Sequence, residues 1–128
     1  YLSYFRKPED KHYILQLIAE DKEFTDKEKA MAVKLIENLL NDDIKTLFFG
    51  EPDAKVKTEV EIITSDAKSF RIDRLIINKK NCVVIDFKTG NKESSHIKQI
   101  THYVELLKEA AFDEVYPYLI YISEEGDL

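Results

Sequence analysis

The sequence has few or none of the features that identify disulfide-bonded, iron–sulfur, membrane-spanning or secreted proteins. There is a single cysteine, Cys82, so neither an internal disulfide nor an iron–sulfur cluster with about four cysteine ligands is expected. No stretch approaches the roughly 20 apolar residues of a membrane-spanning helix, and no signal peptide is recognisable. We therefore expect a protein of a reducing, cytoplasmic setting with no membrane among its partners.

An excess of basic residues is also missing. Lysine and arginine together number 19 against 25 aspartates and glutamates, which gives a formal net charge of −6. A domain that binds nucleic acid tightly and without sequence preference normally carries a basic surface. Tight nonspecific binding of DNA by this chain alone is therefore not expected, and part of the acidity is expected to belong to a functional site.

The rest of the composition is typical of one soluble globular domain. Hydrophobic residues make up 44% of the chain and charged residues 34%, and 128 residues are enough for one core. We expect a single domain over residues 1–128, with helices in residues 1–50 and a sheet and helix in residues 51–122. Because the sequence opens at Tyr1 and stops just after an apolar segment, we expect a piece of a larger polypeptide.

Two apolar segments around a polar turn predict a β-hairpin at the centre of the fold. The segments cover residues 71–77 and 82–90 and are rich in Ile and Val, and the turn is Asn78–Asn81. What a plain core hairpin does not explain is the charge within these strands.

The register of this hairpin predicts where its charges lie. If Ile77 pairs with Cys82 across the turn, Asp73 lies opposite Asp86. Side chains of a strand alternate between its faces, so Asp86 and Lys88 share a face at the end of their strand. Two carboxylates and one ammonium group are therefore expected at one edge of the sheet.

This grouping has two interpretations. The structural one is that Asp86 and Lys88 form an ion pair at the strand end while Asp73 pairs with Arg71 or Arg74. The functional one begins from the repulsion between two close carboxylates, which a hard divalent cation would remove. Carboxylate oxygens are the ligands that Mg²⁺ prefers, with Mn²⁺ as a possible substitute, and a lysine beside the metal suits attack of water on a phosphodiester.

Helices are predicted before the hairpin. The first covers about Glu9–Glu20, after a proline start signal. The second begins with a capping box formed by Thr25 and Glu28 and continues to about Leu40. A short apolar turn or helix at residues 44–49 is expected to place two phenylalanines in the core.

A strand from Val56 to Ile63 precedes the hairpin and carries two glutamates. Glu59 and Glu61 share one of its faces, while Val60 occupies the other. Either glutamate fits a plain solvated face, and this interpretation is favoured for Glu61.

A helix from about Ser95 to Ala110 and a strand from Val115 to Ile122 are predicted after the hairpin. The helix has an apolar stripe, and a neighbouring polar stripe contains His96, Gln99 and Tyr103. The strand, arriving after a helix, is expected to pair in parallel and to be covered on both faces. The apolar stripe of the helix consists of Ile97, Ile100, Val104 and Leu107.

Taken together, these motifs resemble the RecB-type branch of the PD-(D/E)XK nuclease superfamily, as found at the C-terminus of UvrD/Rep-type helicase-nucleases. The resemblance extends from about Phe24 to Ile122 and rests on an ordered combination of motifs. They are Ile72-Asp73-Arg74, then Ile85-Asp86-Phe87-Lys88-Thr89-Gly90, then Gln99 and Tyr103. The implied fold is an α/β nuclease core whose mixed sheet has three antiparallel strands plus one parallel strand after a crossover helix, flanked by helices.

The resemblance also implies roles for individual residues. Asp73, Asp86 and the main-chain carbonyl of Phe87 would bind the metal, with Glu59 binding directly or through water. Lys88 would position or activate the attacking water and stabilise the reacting phosphate. Gln99 and Tyr103 would lie beside the metal site and the DNA strand, and Thr89 and His96 are expected near that strand. Arg71 and Arg74 flank Asp73, where they are expected either to contact DNA phosphate or to balance the acidic cluster.

The sequence departs from the family pattern at its early histidine. In the family a metal-contacting His follows a Gly-x-x-x-His pattern, whereas His12 follows Pro8-Glu9-Asp10-Lys11. A surface histidine at a helix start is the favoured interpretation of His12, and the true equivalent can lie upstream of Tyr1. The four-cysteine nucleases of the same superfamily are a poor match because Cys82 stands alone.

The function implied by the resemblance is a Mg²⁺-dependent deoxyribonuclease domain. Its expected setting is exonuclease-type processing of DNA ends in recombination and repair, with a helicase motor in the same polypeptide or complex. Two alternatives stay open: a nuclease-fold module that binds DNA or a partner without cutting, and another metal-dependent phosphodiesterase or partner-binding α/β domain.

Overall fold

The computed structural model describes residues 2–51, 53–110 and 112–123. Tyr1 and residues 124–128, which suggested a cut polypeptide, lie outside them. Two short 3-10 helices, Leu2–Tyr4 and Pro8–Asp10, come first. The helices are α1 (Lys11–Glu20), α2 (Asp26–Leu39), α3 (Asp42–Phe49) and α4 (Ser94–Glu109), and the strands are β1 (Lys55–Ile63), β2 (Ser69–Asn78), β3 (Asn81–Thr89) and β4 (Glu114–Ile122). No helix within these ranges is long and apolar enough to cross a membrane.

Helix α2 begins at the predicted capping box. The main-chain N–H of Glu28 donates to Oγ1 of Thr25, and the main-chain N–H of Thr25 donates to Oε1 of Glu28, both at 3.1 Å. Each bond satisfies an N–H group that the first turn of a helix leaves without a partner. The start of this helix is therefore set by two residues that are three apart in sequence.

The strands form one four-stranded mixed sheet in the order β1-β2-β3-β4. Strand β2 is antiparallel to β1 and to β3, and Ile77 pairs with Cys82 as predicted. Strand β4 is parallel to β3, because the connection between them runs through α4. The predicted combination of three antiparallel strands with one parallel strand is confirmed.

The sheet contributes to two hydrophobic cores. Val84 belongs to one of them and Phe87, three residues along the same strand, packs against the other, as alternating side chains require. We call these the N-terminal core and the α4 core. The N-terminal core is formed by Phe5, Ile14, Ile18, Leu35, Ile36, Leu39, Phe48 and Phe49. The α4 core is formed by Ile72, Leu75, Cys82, Val84, Ile100, Tyr103, Leu107 and Val115.

Two details of burial differ from the sequence prediction. Strand β4 is not covered on both faces, since Tyr116 and Tyr118 are 45% and 43% exposed. Among the described strands it lies at an edge of the sheet, beside β3. On α4, Ile97 is 61% exposed whereas Tyr103 is 3% exposed and takes part in the core. The buried stripe of α4 is therefore rotated toward Tyr103.

Candidate active site

The central hairpin brings Asp73 and Asp86 side by side. The paired positions of the hairpin end at Arg74 and Ile85. Asp73 and Asp86 are the next residue on each strand, and their carboxyl groups interact. Oδ2 of Asp73 accepts a hydrogen bond of 2.9 Å from the main-chain N–H of Phe87. Burial, followed by the interaction with Asp86, raises the pKa of Asp73 to about 6. The two carboxylates thus repel one another in a partly buried place.

Lys88 lies against the second of these carboxylates. Its Nζ is 3.0 Å from Oδ2 of Asp86, a side chain that is almost fully enclosed. Apart from this ammonium, Oδ2 has no hydrogen-bonding partner in the described part of the chain. A carboxylate oxygen can accept more than one partner, so Oδ2 can bind a cation in addition to the lysine.

Helix α4 supplies two further polar groups. Nζ of Lys88 donates a hydrogen bond of 2.7 Å to Oε1 of Gln99. Tyr103 lies one turn further along the helix, and burial, followed by the charge of Asp86, raises the pKa of its hydroxyl. The structure therefore brings together the polar residues expected at the site, in the spatial order Asp73, Asp86, Lys88, Gln99 and Tyr103.

Glu59 lies opposite Asp73 on the other neighbouring strand, at a break in the regular alternation of side chains. Thr58 bonds to the main chain of Ser3 in the N-terminal segment, yet Val60, two residues on, packs against the α4 core. The φ of Glu59 is 52°, a left-handed conformation that costs a residue with a side chain about 1 kcal/mol or more. The alternation of side chains along β1 is therefore broken at Glu59, and Thr58 and Val60 lie on opposite faces of the sheet.

The same change of face occurs on β2 at Asp73. Ile72 belongs to the α4 core, whereas Arg74 contacts Phe48 in the N-terminal core. Asp73 lies between these two residues. Together with Glu59 it lines a cavity of about 270 Å³. The other residues of its lining are Leu2, Ser3, Arg74 and Phe87.

Arg74 has a structural position, in contrast to the predicted contact with DNA. Its side chain is 1% exposed, with the guanidinium 3.5 Å from the ring centre of Phe48, and Nε donates a 2.8 Å hydrogen bond to the Phe48 carbonyl. Burial, followed by the charge of Arg6, lowers the pKa of Arg74 to about 9. The guanidinium thus links the end of α3 to the sheet through this hydrogen bond. Its N–H groups are buried and do not reach the surface.

The other residues expected near DNA lie around the rim of the site. Arg71 and Thr89 are exposed on their strands. Nδ1 of His96 is 2.9 Å from the hydroxyl of Tyr121, and its Nε2 is 3.5 Å from Oε2 of Glu93. The sequence analysis missed Tyr121 as a support for His96, since only the parallel pairing of β4 with β3 brings it there.

His12 is exposed on the first turn of α1. In residues 2–51, 53–110 and 112–123, no group of three or more His, Cys, Asp or Glu side chains is close enough to hold a metal ion. The structure therefore adds neither His12 nor Glu59 to the aspartate pair as a direct ligand. Glu61, for which a solvated role was favoured, accepts a 2.6 Å hydrogen bond from Ser69.

The chemistry of the aspartate pair nevertheless suits Mg²⁺. This ion is usually bound through one or two carboxylates, and water and substrate phosphates complete its coordination. The observation that favours a cation is the closeness of two carboxylates that have one lysine ammonium between them as counter-charge: Asp86 is buried, and its interaction with Asp73 helps to raise the pKa of Asp73 to about 6. The Phe87 carbonyl on β3 is a further oxygen donor, whereas Glu59, on the neighbouring β1, could take part only through water.

Comparison with known proteins gives no assignment: no protein-family model and no curated protein sequence matches this chain. The case for a function therefore rests on the geometry of the site and on the motifs in the sequence.

Proposed function

We propose that this chain is a metal-dependent nuclease domain that hydrolyses phosphodiester bonds of DNA. The observation that carries the proposal is the contact of Lys88 with both Asp86 and Gln99, beside Asp73, at the end of the central hairpin. Asp86 and Lys88, two residues apart at the end of this strand, match the carboxylate and lysine of the PD-(D/E)XK pattern. The resemblance further supports DNA end processing in recombination or repair, with a helicase delivering the strand.

The two aspartates would hold Mg²⁺, with the Phe87 carbonyl as an additional donor and Glu59 acting through a water molecule. Mg²⁺ bound there supplies positive charge that makes water a better nucleophile and offsets charge on the scissile phosphate. Asp73 contributes as a carboxylate whose pKa is raised to about 6, so it is mostly ionised at neutral pH and free to bind a cation. Its bond to the Phe87 amide keeps the carboxylate aligned with the strand end.

Lys88 would act on the reacting phosphate. Its ammonium is held from two sides, by Asp86 at 3.0 Å and by the Gln99 amide oxygen at 2.7 Å. The third N–H of the ammonium is then available to orient the attacking water or to donate to a non-bridging oxygen. As the water oxygen bonds to phosphorus, the ammonium offsets the growing negative charge, the bond to the leaving ribose oxygen breaks, and that oxygen takes up a proton.

Gln99 and Tyr103 would position the lysine. Gln99 provides the acceptor that fixes the direction of Nζ, and Tyr103 anchors α4 in the core beneath it. Because the donor is held in place before substrate arrives, little reorganisation is needed during the reaction. This is the difference between a catalytic lysine and a freely rotating surface lysine.

The test is degradation of a labelled linear DNA by the purified protein in Mg²⁺, Mn²⁺ or EDTA. We compare the wild type with Lys88→Ala and with Lys108→Ala, which removes an exposed lysine at the other end of α4. We expect cutting with either metal, none in EDTA, a loss of about 100-fold or more for Lys88→Ala, and no effect of Lys108→Ala. Folded wild type that binds DNA without cutting it would support the non-cutting module instead.

A further inference from the structure

Polar and aromatic side chains lie next to the candidate active site on the side of β4. Tyr121 of β4 pairs with Lys88 of β3 in the parallel register, so their side chains project from the same face of the sheet. His96 lies one turn of α4 before Gln99, the partner of Lys88, and its ring centre is 5.7 Å from that of Tyr121. Asp73 stands on β2, which is the neighbour of β3 on the other side.

The contacts of His96 determine where the hydrogen of its neutral ring lies. Nδ1 is 2.9 Å from the hydroxyl of Tyr121, and Nε2 is 3.5 Å from Oε2 of Glu93. A carboxylate beside Nε2 favours a hydrogen on that nitrogen, which leaves Nδ1 as the acceptor for the Tyr121 hydroxyl. In a protonated ring both nitrogens carry hydrogen, so Nε2 is a donor in either state. Tyr121 therefore holds the ring in the orientation that points this donor toward Glu93.

Glu93 places an anion at this donor but is held loosely. Its Oε2 also accepts a 3.4 Å hydrogen bond from Oγ of Ser95, so two donors converge on one carboxylate oxygen. The side chain of Glu93 is exposed, whereas most of the side chain of His96 is enclosed. An ion pair with an exposed partner contributes little stability. A phosphate oxygen is an anionic acceptor of the same kind and can take the place of the Glu93 carboxylate.

Lys92 adds a cation to the same place. Its Nζ is 5.7 Å from the ring centre of Tyr121, within the range of a cation–π contact with the ring that supports His96. The Lys92 side chain is exposed, and a lysine ammonium is a point charge that binds phosphate from a range of directions. Once Glu93 moves away, a donor of fixed direction and a flexible cation face the same anion.

We propose that Lys92, Ser95 and His96 bind the phosphate next to the scissile one in the DNA strand. Tyr121 is a positioning residue, because it aims the Nε2–H group of His96 at this phosphate. In the free protein Glu93 occupies the place of the phosphate. A strand bound in this way crosses the end of the sheet from β2 toward β4.

The inference rests on the proposed function, since the scissile phosphate would lie between Asp86 and Lys88. It is compatible with the net charge of −6, because a few directed donors hold one phosphate without a basic surface. The affinity for DNA is accordingly expected to be modest.

The experiment measures fluorescence anisotropy of a labelled single-stranded oligonucleotide at low salt in EDTA, where metal-dependent cutting does not interfere. We expect wild-type binding in the range of about 10⁻⁴–10⁻⁶ M. Tyr121→Phe keeps the ring and removes the hydroxyl, and it should bind about threefold to tenfold more weakly, the effect of one hydrogen bond. Tyr118→Phe, on the other face of β4, is the matched control and should bind like the wild type.

The role of Glu93 predicts a change in the opposite direction. Glu93→Gln removes the competing anion and should bind DNA about threefold more tightly. Glu105→Gln makes the same change of charge at an exposed position of α4 and should have a smaller effect. In the His96→Ala background, Tyr121→Phe should cause no further loss and Glu93→Gln no more gain than Glu105→Gln, because the donor is gone. A gain in binding cannot come from partial unfolding.

The tautomer of His96 gives a second readout, which does not require DNA. The chain has three histidines, and His96→Ala identifies the signals of this one in nitrogen NMR of the imidazole groups. We expect a neutral His96 to carry its hydrogen on Nε2 in the wild type and to become a mixture of tautomers in Tyr121→Phe. A hydrogen on Nδ1 in the wild type would contradict the assigned role of Tyr121.

Three binding results would overturn the inference. They are no binding by the wild type at low salt, equal effects of Tyr121→Phe and Tyr118→Phe, and a gain in Glu93→Gln no greater than in Glu105→Gln. Both readouts are taken without metal, so a subsite confirmed in a protein that does not cut separates this inference from the nuclease proposal. Metal-dependent cutting by a protein whose variants all bind equally would retain the nuclease and remove the subsite.

Discussion

Asp73 accepts a 2.9 Å hydrogen bond from the main-chain N–H of Phe87, one residue beyond its cross-strand neighbour Asp86. This bond favours the ionised carboxylate, yet burial and Asp86 outweigh it and raise the pKa of Asp73 to about 6. The group is therefore more easily protonated in the folded chain than in the unfolded one, where its ordinary value is 3.8.

The first prediction concerns the pH dependence of stability without metal. A raised carboxyl pKa makes a favourable contribution to folding below the unfolded value, and this contribution is lost as the pH rises through about 6. Asp73→Asn has no carboxyl group to ionise at this position. The free energy of unfolding of this variant should therefore increase relative to that of the wild type between about pH 4 and pH 7. Urea unfolding in EDTA across this range measures it. Glu105→Gln, which changes an exposed carboxylate of α4, should show no such relative gain, and parallel curves for wild type and Asp73→Asn would contradict the argument.

The second prediction concerns the ion pair of Asp86 and Lys88. Lys88→Met leaves an almost fully buried carboxylate without its cation and should lower the free energy of unfolding by about 2–4 kcal/mol, the lower part of this range reflecting the partial exposure of the lysine. Adding Asp86→Asn to that variant should recover part of the loss, with a coupling energy of about 1–3 kcal/mol. Mg²⁺ should stabilise Lys88→Met more than the wild type. Additive effects of the two substitutions would show that the pair does not interact.

A third prediction separates shape from charge at Arg74. Arg74→Lys keeps the buried charge but loses the flat guanidinium over Phe48 and the bond to its carbonyl, so it should cost about 2–3 kcal/mol. Arg74→Met loses the same contacts without burying a charge and should cost less, about 1–2 kcal/mol. Thermal unfolding ranks the two variants. A more stable Lys variant would mean that the positive charge itself is needed at this place.

The fourth prediction compares two glycines that share a left-handed backbone. Gly50 has φ 73° and Gly90 has φ 82°, but a Cβ at Gly50 would lie 2.5 Å from Cγ2 of Ile76, whereas a Cβ at Gly90 meets nothing within 4 Å. Gly90→Ala should therefore cost only the backbone strain, about 1 kcal/mol. Gly50→Ala should cost about 2–4 kcal/mol because overpacking is added to that strain. Equal losses, measured by urea unfolding, would show that the loop around residue 50 moves away from Ile76.

Much of the site was predictable because its geometry is local. A short turn sets the register of an antiparallel hairpin, so the pairing of Ile77 with Cys82 was enough to bring Asp73 next to Asp86. The i, i+2 spacing of Asp86 and Lys88 predicted a shared face, and their charged groups are 3.0 Å apart. The capping box of α2 is likewise complete within four residues.

Other features depend on contacts between distant parts of the chain, and local patterns do not contain them. The burial of Arg74 requires Phe48 of α3, and the support of His96 by Tyr121 requires the parallel pairing of β4. The prediction that β4 is covered on both faces was wrong because the apolar composition of a strand does not show whether it lies at the edge of a sheet.

The sequence by itself determined the helices, the strands, the hairpin register and the polar groups of one strand end, since each depends on hydrogen bonds and alternation over a few residues. Tertiary structure alone decided which of the charged residues are buried and where β1 and β2 change face, at Glu59 and Asp73. Burial and long-range electrostatics depend on what packs across the sheet, and that is a property of the assembled layers.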